Sequence, residues 1–377
     1  MLAMNSTLLV GPSDWDPARM PRDEFLARAT ALWRASPSAA GAVVYGDRTH
    51  HAELAYLTGF TPKLESALAL IPRVGAPRLL VGGGPNMLQA AKPLTFIEAL
   101  VPLRNVGETV AQWAREQSGG GRPVLIGGAF MPYPLRQRID EVMAEGARSI
   151  ADKTGELWTL MRRKSPRELA AIRDACATLS AALTAMDEAQ RSGAGATAVV
   201  LAGEHAAHRQ GAQDVRTLFS LDGGRTLRPF DTSVERAVDP LQTYVAVRRF
   251  GYWAEGFAVV TASPGQCVRG ANVLLRYALE KIRPGRRCGD VGRSVVEAAR
   301  PFEPHPLVTS VQGNAIGLAL EEQPLITPAS EDTFEPGGIY SVRVGLRDES
   351  DSAVVSAMVA VNEFGSDVLW SSAMGKV

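Results

Sequence analysis

The strongest local signal in the 377-residue sequence is a helix start at Ser165. A serine hydroxyl at this position can accept a hydrogen bond from a free amide in the first helical turn, and Pro166 fits the first helical position because no donor is needed there. Glu168, three residues after the serine, completes a capping box. The pattern predicts a helix that runs to about Gln190 and ends at Ser192-Gly193. We place the join between two domains just before this helix.

The part of the chain before this helix alternates short apolar runs with segments of helical spacing. Glycine, proline or charged residues bound the apolar runs, as expected of strands that are covered on both faces. The runs lie at 42–45, 67–71, 79–81 and 123–126, and helical spacing occurs at 108–116 and 134–145. Alternating strands and helices predict an α/β domain over residues 1–155.

The part of the chain after Ser165 begins with helices and continues mainly with strands. Helices are predicted at 166–190, 196–210, 271–282 and 291–300. Strands are predicted at 215–221, 243–249, 256–261, 308–311, 339–344, 354–361 and 368–370. This order predicts an α+β domain over residues 156–377.

The overall composition excludes some classes of partner. Forty basic and forty acidic residues cancel, so no net field attracts nucleic acid or an anionic membrane. No apolar run approaches the roughly 18–20 residues that a bilayer crossing needs, and residues 1–15 lack the basic start of a signal peptide. The three cysteines are scattered, which fits a reducing compartment. We therefore expect a cytoplasmic protein that binds neither nucleic acid nor membranes.

Several motifs occur in an order that is known from one protein family. They are the helix start within 163–175, Ile-Arg-Pro-Gly at 282–285, Gly-Asn-Ala-Ile-Gly-Leu at 313–318, Phe-Glu-Pro-Gly-Gly at 334–338, Val-Asn-Glu-Phe-Gly at 361–365 and Leu-Ala-Tyr-Leu-Thr-Gly-Phe at 54–60. Over about residues 40–372 the chain resembles the creatinase/aminopeptidase P/prolidase family. The resemblance implies an α/β N-terminal domain followed by an α+β "pita-bread" C-terminal domain. It also implies a homodimer, which is the common state of the family.

The enzymes of this family usually bind two divalent metal ions through two Asp, one His and two Glu. In the same order, the equivalent positions of this sequence hold Tyr244, Glu255, Asn314, Arg343 and, within one residue, Ser356. Two dications need several carboxylates to offset their charge and to displace their water. Of this set, only Glu255 supplies an anionic oxygen, and Arg343 adds a fixed positive charge. We therefore expect neither a metal ion nor another cofactor.

Creatinase resembles this family and works without metal, through a histidine that acts as acid and base and arginines that hold a carboxylate. The position nearest to that histidine is Arg228. A guanidinium stays protonated near neutral pH and cannot act as a general base. The candidate catalytic residues are instead Glu255 and Glu322, the second lying near a place where the family has a His-Glu pair.

The residues expected to bind a ligand are polar or charged. They are Tyr244, Arg248, Asn314, Arg343, Ser356 and Arg228. A planar guanidinium suits a carboxylate, so Arg343 can anchor a small carboxylate ligand. The alternative is an internal salt bridge between Arg343 and Glu255, because neither charge tolerates burial alone. The two roles are compatible.

Three functions remain open at this point. The first is a pseudopeptidase, or a binder of a small carboxylate ligand, that has lost the metal site. The second is a metal-independent, creatinase-like enzyme that acts on a C–N bond of a small amide or amidine carboxylate. The third is a non-catalytic interaction module. An open pocket around Glu255 and Arg343 would favour a ligand, and a pocket plugged by Tyr244 and Arg248 would favour the third function.

Overall fold

The computed structural model describes residues 15–117, 121–143, 150–300, 305–306, 311–349 and 351–373. The chain divides into two compact units, Met1–Met161 and Arg162–Val377. The α/β and α+β classes predicted for the two parts of the chain are both observed.

The first unit is built on a six-stranded mixed sheet with the strand order β4-β3-β2-β1-β5-β6. Its strands are β1 (Ala39–Gly46), β2 (Ala67–Pro72), β3 (Arg78–Val81), β4 (Ala99–Pro102), β5 (Arg122–Ile126) and β6 (Ala151–Asp152). Its helices are α1 (Arg22–Ala35), α2 (Ala52–Thr58), α3 (Pro85–Ala91), α4 (Val106–Glu116), α5 (Tyr133–Met143) and α6 (Thr154–Met161). Strand β1 pairs antiparallel with β2 and parallel with β5.

The core of the first unit follows from the continuous apolar runs. Strands β1 and β2 are buried at every position, which confirms that both faces are covered. Trp113 of α4 packs closely on β1, since a Cβ added at Gly41 would lie 2.8 Å from its ring. Helices α1, α2, α3 and α6 were not predicted as such. For α1 the usual start signal is missing, because Pro21 at its N-cap offers no side chain that could cap the first amides.

The second unit combines antiparallel sheets with helices. Its helices are α7 (Pro166–Arg191), α8 (Ala196–Arg209), α9 (Gln266–Lys281) and α10 (Cys288–Ala299). Its strands are β7 (Asp214–Phe219), β8 (Leu241–Arg249), β9 (Tyr252–Val260), β10 (His305–Pro306), β11 (Gly313–Ala315), β12 (Glu322–Ile326), β13 (Ile339–Arg347), β14 (Ser352–Val361) and β15 (Ser366–Ser371). One sheet has the order β7-β8-β9, and the other has the order β12-β11-β13-β14-β15 with β10 beside β13.

Helix α7 begins as its sequence predicts. The Ser165 hydroxyl accepts a hydrogen bond from the Glu168 amide at 3.3 Å, and the Glu168 carboxylate accepts one from the Ser165 amide at 3.0 Å. The helix is also long and apolar enough to pass a simple test for a membrane span. However, it buries a stripe that includes Ile172, Ala175 and Leu179 inside its unit, as a core helix of a soluble protein does.

The core of the second unit lies where α9 packs against β13 and β14 and α10 packs against α9 and β12. Its fully or almost fully buried residues include Leu274, Leu275, Val291, Val342 and Val355. Several element boundaries differ from the sequence predictions, and the two largest shifts are at element starts. Helix α9 begins five residues before the predicted start at 271, and β9 begins four residues before 256. The predicted strand at 308–311 lies outside the described residues except for its last position.

Candidate functional site

Glu255 of β9 and Tyr244 of β8 lie on the same face of the three-stranded sheet. Tyr244 is opposite Phe257, and Glu255 is opposite Ala246, so the two are diagonal neighbours. The Tyr244 hydroxyl donates a hydrogen bond to Glu255 Oε2 at 2.7 Å. Burial raises the pKa of Tyr244 strongly, and the negative charge of Glu255 raises it further. The phenol therefore stays a protonated donor at neutral pH.

Arg343 of β13 supplies the positive charge that faces Glu255. Its Nη1 lies 3.6 Å from Glu255 Oε1 and donates a hydrogen bond to Asn314 Oδ1 at 3.1 Å. The Glu255 side chain is only 5% exposed, whereas that of Arg343 is 22% exposed. Within the described part of the chain, nothing donates a hydrogen bond to the buried Glu255 Oε1. The predicted salt bridge is thus present at ion-pair distance.

The rest of the Arg343 guanidinium is not engaged by the described residues. Both contacts of Arg343 use Nη1. Among the described residues, none accepts a hydrogen bond from Nε or Nη2, and neither of these nitrogens is a buried unpaired atom. One edge of the guanidinium is therefore held by the protein while the other edge faces outward.

Asn314 and Ser356 hold the site together. Asn314 Nδ2 donates to the carbonyl oxygens of Ala315 at 2.9 Å and Leu320 at 3.2 Å, which turns its Oδ1 towards Arg343. Ser356 lies directly opposite Arg343, is fully buried, and accepts a hydrogen bond from the Phe257 amide at 2.7 Å. Ser356 therefore links β14 to β9, and this link brings Arg343 within reach of Glu255.

Glu322 is engaged in a different contact. Its Oε2 accepts a hydrogen bond from Lys164 Nζ at 2.6 Å, and its Oε1 accepts one from the Ala319 amide at 3.2 Å. The two side chains of the Lys164–Glu322 pair are 2% and 10% exposed, respectively. A Cβ added at Gly317 would lie 2.7 Å from Glu322 Oε1. These contacts hold the glycine-rich segment in place and occupy both carboxylate oxygens.

Arg248 and Arg228 occupy different environments. Arg248 is 8% exposed, and its guanidinium carbon lies 5.5 Å from the centre of the Trp253 ring. The structure does not place Arg228 beside Glu255, because its backbone pairs with Phe219 and its guanidinium lies 3.7 Å from the Asp231 carboxylate. Phe219 pairs with Thr243, so Arg228 is on the sheet face opposite to Tyr244. Its expected role in binding a ligand stays a prediction.

Two residues near the site, Arg216 and Trp253, were missed by the sequence analysis. Arg216 of β7 is opposite Ala246, and its guanidinium lies 4.6 Å from the centre of the Trp253 ring. Alternation along β7 predicts that Arg216 shares a face with Leu218. Sequence patterns do not fix the register between β7 and its neighbours. They therefore do not show which residues of the neighbouring strands share that face.

The cluster of Tyr244, Glu255, Asn314, Arg343 and Ser356 does not fit the dinuclear metal group that the resemblance implies. Its one carboxylate is that of Glu255. The Oε1 atom of this carboxylate accepts no hydrogen bond from the described residues, and the Arg343 guanidinium faces it. Across the described residues, no three His, Cys, Asp or Glu side chains are grouped so that they could hold a metal ion. A pair of hard dications needs more anionic oxygen than this donor set supplies.

Residues 266–363 match the model of metallopeptidase family M24. No curated protein matches the chain.

Solved structures are similar over nearly the whole chain. Dipeptidase PepE from Mycobacterium ulcerans has a TM-score of 0.73 and 17% identity, covering 92% of this chain and 96% of that chain. Prolidase from Pyrococcus horikoshii OT3 has a TM-score of 0.72 and 14% identity, covering 92% and 97%. A variant of Escherichia coli aminopeptidase P has a TM-score of 0.73 and 16% identity, covering 94% and 96%. These likenesses confirm the predicted pita-bread architecture.

Proposed function

Because the chain has the pita-bread fold and its M24 match supports a place in the creatinase/aminopeptidase P/prolidase family, we propose that it is a metal-free relative that binds a small carboxylate ligand. The observation that carries the proposal is the Arg343 guanidinium, whose Nη1 lies 3.6 Å from Glu255 Oε1. In this position Arg343 neutralises the Glu255 carboxylate, which a bound metal ion would otherwise need as a ligand.

Two features of Arg343 support a carboxylate as the ligand. Asn314 and Glu255 fix one corner of the guanidinium, so its plane is set before a ligand arrives. The outward edge, Nε and Nη2, can donate two parallel hydrogen bonds to one carboxylate. The neighbouring Tyr244 is partly exposed and stays a neutral donor, so it adds no negative charge that would repel an anion.

The metal-independent C–N bond enzyme is less well supported. Such an enzyme needs a proton acceptor that can reach its substrate. Glu255 Oε2 accepts a hydrogen bond from the Tyr244 hydroxyl, and Oε1 faces Arg343. Oε2 is already hydrogen-bonded, and Oε1 is buried beside Arg343, so a substrate cannot reach Oε1 without displacing a neighbour. The geometry therefore favours binding over turnover at Glu255.

Isothermal calorimetry with acetate, butyrate and valerate, and with the matching neutral amides, tests the proposal. We expect the carboxylates to bind and the amides to show no binding. Arg343→Lys keeps a positive charge near Glu255 but loses the two parallel N–H donors of the guanidinium. It should therefore weaken carboxylate binding roughly ten- to hundredfold. The control is Arg276→Gln, which changes an exposed arginine on α9. Equal binding of acids and amides, or unchanged binding by Arg343→Lys, contradicts the proposal.

A further inference from the structure

A second guanidinium lies on the same sheet face as Glu255. The strand registers align Arg216 of β7, Ala246 of β8 and Glu255 of β9 in one row. Cross-strand partners share a face and adjacent strands lie about 4.8 Å apart, so the Arg216 and Glu255 backbones are separated by roughly 10 Å. Within this row the residue between them is Ala246, whose side chain is small.

The Arg216 guanidinium is oriented by an aromatic ring. It lies 4.6 Å from the centre of the Trp253 ring, and Trp253 itself is only 2% exposed. Stacking on a buried ring occupies the flat face of a guanidinium and leaves the N–H donors at its edge. The ring thus provides a fixed support for the Arg216 donors.

The edge of Arg216 is only weakly engaged by the protein. Nη2 lies 3.5 Å from Asp214 Oδ2, at the limit of a hydrogen bond, and the Arg216 side chain is 58% exposed. Nε and Nη1 have no hydrogen-bond acceptor among the residues that the structure describes. Arg216 therefore resembles Arg343 in offering fork-shaped donors to an incoming anion.

Both arginines lie near one phenol, that of Tyr244. The positive charges of Arg343 and Arg216 both act on Tyr244 and oppose the rise in its pKa. The floor beside this phenol includes apolar groups: the Phe257 ring centre lies 4.7 Å from that of Tyr244, and Ala246 lies on the same face. Such a floor suits a short hydrocarbon linker between two charged ends.

We propose that Arg216 and Arg343 bind the two ends of one ligand and that this ligand is a short, flexible dicarboxylate. The inference rests on the proposed function and narrows its ligand class. Each of the two planar guanidinium groups suits one carboxylate. A linker between the two carboxylates would span the gap across Ala246.

The test is calorimetric titration of the full chain with succinate, glutarate and adipate, and with butyrate and valerate as monocarboxylate controls. We expect one or more dicarboxylates to bind at least about tenfold more tightly than the monocarboxylates, from one added charge-assisted contact. Arg216→Gln should abolish this gain, so that the dicarboxylates then bind no more tightly than the monocarboxylates. Arg216→Lys should lose most of the gain, because lysine keeps the charge but cannot present a fork. Arg276→Gln is the matched control and should change nothing.

The possible failures are distinguishable. If monocarboxylates bind but dicarboxylates bind no more tightly, the inference about Arg216 is wrong and the proposed function stands. The inference also fails alone if Arg216→Gln leaves the dicarboxylate gain intact, or if it weakens both ligand classes equally. If neither class binds to the wild-type protein, the proposed function fails together with the inference.

Discussion

At Arg343, a permanently charged side chain stands where the resemblance expects a metal-binding glutamate. The sequence predicted both the position and the salt bridge to Glu255. It could not predict that Asn314 fixes the same nitrogen that faces Glu255, because this depends on how the Asn314 amide is turned by two backbone carbonyls. It also left open the packing of β14 on β9 through Ser356, which sets the distance between the two charges.

The unequal exposure of Glu255 and Arg343 predicts unequal effects of removing them. Arg343→Gln leaves a carboxylate that is 5% exposed without its counter-charge, whereas Glu255→Gln leaves a guanidinium that is 22% exposed. Breaking a buried pair from one side costs of the order of 3 kcal/mol. We expect Arg343→Gln to approach this loss of unfolding free energy and Glu255→Gln to lose clearly less, as measured by urea denaturation.

The double variant is the control for this comparison. With both charges removed, no carboxylate is left buried and unpaired, so part of the loss caused by Arg343→Gln should be recovered. If the two single variants lose the same stability and the double variant loses their sum, the two charges do not interact in the way described.

Among the elements, β7, β8 and β9 show where sequence reasoning stops. Their strand character follows from the sequence, but β9 was predicted to begin at 256 and therefore to exclude Glu255 and Trp253. The register that brings Arg216 into line with Ala246 and Glu255 is a property of the paired strands. A shift by one residue would move Arg216 to the other face of the sheet, and alternation alone does not choose between the two.

Helix α7 shows the opposite case, since local chemistry alone predicts its start. Ser165→Ala removes the acceptor for the Glu168 amide and should cost about 1 kcal/mol of unfolding free energy. Chemical denaturation measures this loss. The matched control is Ser192→Ala at the other end of the same helix, where the hydroxyl is exposed and donates to the Ala189 carbonyl. Equal losses from the two substitutions would contradict the role assigned to the capping box.

For the whole molecule, the order of the motifs predicted the fold better than any single motif did. The family model covers only residues 266–363, yet similarity in structure to the Mycobacterium ulcerans dipeptidase covers 92% of the chain at 17% identity. Apolar patterning and turn residues are sufficient to specify a fold, and many different sequences satisfy them. The chemistry of the site depends on a few side chains and can change while the fold persists.

Metal binding is the most direct test of the account. Purified protein, dialysed and then equilibrated with manganese, zinc or cobalt, can be analysed for bound metal by mass spectrometry and assayed in parallel for cleavage of Xaa-Pro dipeptides. A single carboxylate faced by a guanidinium should leave the protein without stoichiometric metal and without detectable cleavage. Stoichiometric metal that is lost in Glu255→Gln, together with measurable Xaa-Pro cleavage, would contradict the account.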